Sequence, residues 1–301
     1  MNSERCHTAK SIVLDEARNA GAVAAGCAVA APVPDNVRRT FLEWIGEGRH
    51  GSMDYLAHNL DVRFDPRLLL PDARTVVSLA FPYKPAGGVH HPHFADFALG
   101  SDYHFVLRSR LAPLVQLIEE KFGATARVCV DSAPILERYW AHRAGLGFIG
   151  MNHQFIVPGI GSEVFLAEIV TSLELPPDSP LPLQCQGCAG CVVSCPSGAL
   201  TSDGFDARAC RSYLTIEHRG DLPLNADLGQ CVAGCDDCQR HCPHNSVSPD
   251  PLEEFAPSPA LMALDREALL RLSSGDWKRL TRHSPLSRIP YRQFRRNLEA
   301  K

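Results

Sequence analysis

The chain has no apolar run approaching the roughly 18 residues a membrane-spanning helix needs, so no span is expected. Its N-terminus lacks the hydrophobic stretch of a secretory signal, because Glu4, His7, Lys10 and Asp15 interrupt it, and a cytoplasmic protein is expected. A marked charge excess is missing too: 30 Lys and Arg against 34 Asp and Glu give a net charge of -4, which is no global sign of nucleic-acid binding. No internal repeat or low-complexity tract is present. With 45% apolar and 21% charged residues, the 301 positions are those of a soluble globular protein, long enough for a substantial core and a smaller appended module.

What the sequence does have is cysteine, twelve in all. Without an export signal these read as metal ligands rather than disulfides. Cys6, Cys27 and Cys129 are scattered singly and read as small buried hydrophobes. The other nine lie between Cys185 and Cys242.

Their spacing is specific. Cys185-x2-Cys188-x2-Cys191-x3-Cys195-Pro196 is the bacterial ferredoxin run, in which three close thiolates hold one iron–sulfur cubane and the fourth reaches another. A second half follows at Cys235-x2-Cys238-x3-Cys242-Pro243. The crossing pattern pairs Cys242 with Cys185, Cys188 and Cys191 around one 4Fe-4S cluster, and leaves Cys195, Cys235 and Cys238 for the other. Cys210 and Cys231 are both available as the remaining ligand; Cys231 is one position out of register with the first half, which favours Cys210. Zinc knuckles are the rival reading, but zinc sites seldom use a three-cysteine run closed by Cys-Pro.

Around this module the chain divides into three. Residues 1–175 alternate helical and strand patterns: a helix at 11–20 ending at Gly21, strands at 23–30, 75–81 and 124–130, and a helix at 103–122 closed by Gly123. That is a mixed α/β domain. The proline-dense stretch Leu175-Pro-Pro-Asp-Ser-Pro-Leu-Pro182 marks its end, a ferredoxin-like module occupies 183–248, and a basic helical tail spans 249–301. From Arg266 onward there are ten Lys and Arg against three Asp and Glu, clustered at Lys278-Arg279, Arg282, Arg288, Arg292 and Arg295-Arg296. The tail is either a phosphate-facing surface or a solvated helix face.

Several motifs then carry a resemblance. The segment Asp131-Ser-Ala-Pro-Ile-Leu-Glu-Arg-Tyr-Trp-Ala-His-Arg-Ala-Gly-Leu-Gly-Phe-Ile-Gly150 closely resembles the signature of the epoxyqueuosine reductases. So do Arg63-Phe-Asp-Pro66, Asp102-Tyr-His104, Ser212-Tyr-Leu-Thr-Ile-Glu217 and Gly234-Cys-Asp-Asp-Cys-Gln239, in family order. The resemblance implies a cobalamin-dependent enzyme that removes the epoxide oxygen from epoxyqueuosine at the tRNA wobble position. It also implies an α/β cofactor domain related to that of reductive dehalogenases. Electrons would come from an unidentified low-potential donor, and a monomer is expected.

Residue by residue, the resemblance makes Asp131 the proton donor to the departing oxygen. A carboxyl whose pKa is raised by an apolar wall or a phosphate would suit that role. The alternative is that Asp131 caps a helix at 133–144. Arg63, Asp131, Phe155, Leu166 and His218 match family positions near the corrinoid; for Arg63 the alternative is a surface salt bridge with Asp61 or Asp65, and for Phe155 and Leu166 plain core. Arg219, with Lys278, Arg279, Arg282, Arg292, Arg295 and Arg296, is expected to face tRNA. Met151 stands where the family commonly has Lys, His244 where Trp is common, and Cys231 is an extra thiol. No Asp-x-His-x-x-Gly stretch supplies an axial imidazole. A small-molecule reductase or dehalogenase, and a ferredoxin-type carrier without catalysis, are the competing functions.

Overall fold

In the computed structural model, which describes residues 3 to 300, a four-stranded antiparallel sheet forms the centre. Its strands are β1 (Ala24–Val29), β2 (Thr75–Pro82), β3 (Ala126–Cys129) and β4 (Val164–Thr171), in the order β1-β2-β4-β3. All eight residues of β2 are buried, so both faces of the sheet are covered, and the side-chain alternation sends two sets of residues into two different cores.

On one face Val77, Leu79, Phe81, Ala167 and Ile169 meet Ala9, Val13 and Ala17 of α1 (Ser3–Asn19) and Leu107, Leu111, Leu114 and Ile118 of α2 (Tyr103–Phe122). The helical period of α2 is that expected from the sequence. Asp102 caps its N-terminus by accepting the His104 N–H at 3.0 Å, and Gly123 closes it at φ 64. On the other face Val76, Ala80, Leu166 and Val170 pack on Trp140 and Ala141 of α3 (Glu137–Arg143). This helix starts later than the expected 133–144, because residues 131–135 form a run of bends before it.

The strand β1 is an edge, and the proline-rich stretch covers it. Asp178 accepts the Cys27 N–H at 2.8 Å, returns its own N–H to the Cys27 carbonyl at 2.8 Å, and binds Lys10 at 2.7 Å. What reads as a linker is therefore pinned to the domain.

The cysteine-rich module docks through Asn245, next to Ser162 and Gly161. Gly161 has φ 110, and a Cβ there would lie 2.2 Å from the Asn245 Oδ1, so no other residue fits. The C-terminal segment folds back as α4 (Ser274–Thr281) and α5 (Tyr291–Glu299). Trp277 stacks on Phe294 at 4.0 Å and donates its indole N–H to Ile289 O, in a core shared with Phe94, Leu99, Val232 and Ala233. No described helix is long and apolar enough to cross a membrane.

Candidate active site and cluster ligands

A cavity of about 490 Å³ opens where the sheet domain, the cysteine module and the C-terminal segment meet. Its lining includes Cys195, Cys210, Cys235 and Cys238 of the cysteine module, Tyr103, His104, Asp131, Glu137 and Arg138 of the sheet domain, and the apolar Phe155, Val164, Phe165 and Leu166. A second, small hollow is lined by Cys185, Cys188, Cys191 and Cys242. The two groups of four are the two sets expected from spacing. Cys231 sits beside Cys235 but does not line the cavity, while Cys210 does.

Asp131 follows β3 in the left-handed region at φ 54, a conformation costing a non-glycine residue about 1–2 kcal/mol. Three contacts hold it there. Its N–H donates to the Glu137 carboxylate, and its Oδ2 accepts the Tyr103 hydroxyl at 2.8 Å and lies 3.2 Å from His104 Nε2. His104 Nδ1 is in turn 2.7 Å from Asp102 Oδ1. The Tyr103 ring is stacked between His104 at 4.1 Å and Phe165 at 4.2 Å, which fixes its hydroxyl direction.

The electrostatics differ from the expectation of a raised aspartate. Burial pushes the Asp131 carboxyl up, but the hydrogen bonds from His104 and Tyr103 outweigh it and hold the group below the usual carboxylate range. Burial lowers the His104 imidazole, yet the Asp102 and Asp131 carboxylates raise it above the usual histidine value. Glu137 is pushed up to about 8, by burial first and by the Asp131 charge second. The Asp131 side chain is half exposed into the cavity, whereas His104 is almost wholly buried behind it. Asp131 caps no helix: the residue preceding α3 is Leu136.

The remaining expected corrinoid positions divide. Phe155 and Leu166 line the cavity, although each also belongs to the core beneath α3. Arg63 makes no salt bridge with Asp61 or Asp65; Asp65 pairs with Arg67 at 2.7 Å. Arg63 is buried, donates to the Tyr55 carbonyl at 3.3 Å behind the cavity wall, and leaves its Nε without a partner among the described residues. His218 lies outside the cavity lining, its Nε2 2.7 Å from Asp221 O. A half-exposed acid, an apolar side and four thiols on one cavity together fit a large planar cofactor, while Arg63 lies outside the lining.

The basic residues also divide. Arg296 donates to the carbonyls of Leu214, His218 and Gly220, and Arg295 to Glu299 and Leu270 O, so both serve the fold. Arg219 is bound to Gln293 and Arg279 to Asp276. Lys278, Arg282 and Arg292 are exposed and, among the described residues, make no hydrogen bond or ion pair. Sequence reasoning quoted Asp102-Tyr-His104 as a motif but gave it no role, quoted Glu137 and Arg138 within the Asp131 segment without one, and counted Arg288, which lines the cavity, only among the basic residues of the tail. The one available signal was the aspartate two residues before a histidine at a helix start.

Comparisons with known proteins place these features. The family described as Epoxyqueuosine reductase QueG, DUF1730 matches residues 63–132, and a 4Fe-4S double cluster binding domain matches 184–245. An epoxyqueuosine reductase of Cyclobacterium marinum is 36% identical over 277 residues, covering 86% of this chain and 88% of the relative. A crystal structure of epoxyqueuosine reductase with an epoxyqueuosine-modified tRNA-Tyr stem loop superposes with a TM-score of 0.87 at 28% identity, over 97% of this chain and 80% of that one. A Bacillus subtilis structure with its catalytic aspartate loop swung out of the active site gives 0.85 at 27% identity, over 97% and 80%. A reductive dehalogenase, whose structure suggests a mechanism for B12-dependent dehalogenation, shares the fold alone, with a TM-score of 0.51 at 14% identity over 83% and 33%.

Proposed function

From the premise that the chain belongs to the epoxyqueuosine reductase family, we propose that it uses cobalamin to reduce epoxyqueuosine to queuosine in tRNA, with Asp131 giving the proton. One observation carries the reading: Asp131 and the thiols Cys195, Cys210, Cys235 and Cys238 line the same cavity. When bound there, cobalamin supplies a low-valent cobalt able to break a carbon–oxygen bond with electrons that Cys-ligated clusters can deliver one at a time.

The protein's own residues do the rest. Phe155, Leu166, Val164 and Phe165 offer an apolar wall against a corrin face, and buried Arg63 holds the Tyr55 carbonyl of the cavity lining from behind. The cavity holds the flipped-out base away from bulk water, as chemistry on a base requires. Tyr103 and His104 aim the Asp131 carboxyl, and the left-handed turn at Asp131 gives the loop a hinge. A loop of this kind is swung out in the Bacillus subtilis relative, which supports a mobile acid here.

The order of the clusters follows from burial. Cys195, Cys210, Cys235 and Cys238 face the cavity and would hold the proximal 4Fe-4S cluster; Cys185, Cys188, Cys191 and Cys242 would hold the distal one, where Cys188 is exposed and a low-potential donor can approach. Lys278, Arg282 and Arg292 are the free cations for tRNA phosphates.

The test is anaerobic reconstitution with iron, sulfide and cobalamin, followed by nucleoside mass spectrometry of tRNA carrying epoxyqueuosine. Asp131→Asn should cut turnover by about 10² to 10⁴ while iron content and the corrinoid spectrum stay unchanged. Undiminished product from that variant removes Asp131 from the acid role.

A further inference from the structure

Removing an epoxide oxygen to leave a carbon–carbon double bond consumes two electrons and two protons, and the oxygen departs as water. A single carboxyl holds one proton at most. Asp131 moreover sits among groups that favour its ionised form, with a hydroxyl and an imidazole both directed at Oδ2. The proton the oxygen needs therefore has to be stored beside Asp131 rather than on it.

His104 occupies the position of such a store. It is the second residue of α2, and its ring lies between two carboxylates, Asp102 at 2.7 Å from Nδ1 and Asp131 at 3.2 Å from Nε2. Asp102 is itself fixed as the helix cap, so it cannot follow Asp131 when the loop moves. The His104 side chain is 6% exposed, while the Asp131 carboxyl opens into the cavity. We propose that Asp102, His104 and Asp131 form a proton relay in which His104 carries the proton and Asp131 hands it to the leaving oxygen. This rests on the reading of Asp131 as the donor.

Each transfer balances. The N–H bond at His104 Nε2 breaks as an O–H bond forms on Asp131 Oδ2; that bond breaks in turn as the proton passes to the oxygen leaving carbon, while the two electrons come from the reduced cofactor. Neutral His104 keeps an N–H on Nδ1, hydrogen-bonded to Asp102, so the ring stays in the tautomer that can accept the next proton at Nε2. Recharging comes through Asp131, which is the member open to solvent. The arrangement uses the same logic as a buried carboxylate that orients a catalytic imidazole from behind.

The charged and titratable groups facing His104 are Asp102 and Tyr103 on its own helix start, Asp131 and Glu137 from the segment after β3, and Arg288 from the turn Pro285–Arg288. The two carboxylates favour the imidazolium and Arg288 opposes it, and the carboxylates win. The relay is loaded below the folded pKa of His104 and empties above it. Turnover should therefore fall as pH rises through that value.

Asp102→Asn is the sharpest probe, because an amide oxygen still caps α2 but no longer supports the imidazolium. Single-turnover conversion by the reconstituted protein should show its alkaline limb moved to lower pH, by about one unit or more. His104→Gln should lower kcat by about 10² with KM unchanged and abolish the limb. Independently of turnover, a 15N-histidine NMR titration of protein without cobalamin, assigned by the signal missing in His104→Gln, should show His104 titrating above the ordinary histidine range and dropping in Asp102→Asn.

If Asp102→Asn and His104→Gln keep the wild-type rate and limb while Asp131→Asn is dead, the relay is wrong and the Asp131 assignment survives. If all three are active, both readings fail. Should His104→Gln lose its iron or its cooperative melting, Asp102→Asn and the NMR titration decide.

Discussion

Asn245, three residues after Cys242, accepts the backbone N–H of Ser162 at 2.6 Å and returns a side-chain N–H to the Ser162 hydroxyl at 3.0 Å. Both groups are buried, and Asn245 also donates to Gln239 O at 2.9 Å. One amide thus ties the loop after Cys242 to the turn ahead of β4. Asn245→Ala would leave the Ser162 N–H unsatisfied, and a loss of about 1–3 kcal/mol is expected in chemical denaturation. Iron should also leave the variant faster on exposure to a chelator; wild-type retention would show that the cysteines alone hold the module in place.

Iron analysis tests whether Cys210 is the fourth ligand of the proposed proximal cluster. Cys210→Ser should reduce iron from about eight to about four per chain in anaerobically reconstituted protein, and Cys231→Ser should leave about eight. The reverse pattern would move the cluster to the thiol beside Cys235.

Glu168 is wholly buried in β4 opposite Ser78 of β2, on the face covered by Trp140, and neither of its carboxyl oxygens has a hydrogen-bond partner among the described residues. Burial holds its pKa well above the usual carboxylate range. Between the unfolded value near 4.3 and the raised folded one, the unfolded chain has released a proton that the folded chain keeps, so stability falls as pH rises. Glu137, pushed up to about 8, adds to the same slope. Glu168→Gln should remove its share: urea midpoints at pH 5 and pH 8 should differ less in the variant, with a gain of about 1–3 kcal/mol at pH 8. An unchanged difference between the two pH values would show that Glu168 is solvated.

Lys278, Arg282 and Arg292 are free cations, whereas Arg296 is bound to three backbone carbonyls. Replacing the three free residues by Ala should weaken tRNA binding at low salt and flatten the log–log salt dependence by about one for each phosphate left without its cation. Melting temperature should hardly move. Arg296→Ala should do the opposite, lowering stability through the carbonyls it abandons. Equal tRNA affinity for the triple variant would place the RNA on another surface.

The sequence alone determined the parts of this protein whose information is local. Close cysteine spacing keeps side chains within one loop, so that Cys185, Cys188 and Cys191 would line one hollow was readable before any fold was known. The apolar period of α2 and its closing Gly123 were equally plain, because caps and periodicity involve neighbours a few residues apart. Motif order placed the chain in its family. Only the tertiary structure brought Asp102, His104 and Asp131 together, since β3 must run beside β4 before the turn after it can reach the start of α2. The same holds for the sign of the Asp131 shift, which depends on two hydrogen bonds from residues 27 and 28 positions away. The C-terminal segment, too, reads as a basic tail in sequence, but it spends Arg295 and Arg296 on the fold because a core shared with residues 94–99 and 232–233 draws it back onto the body.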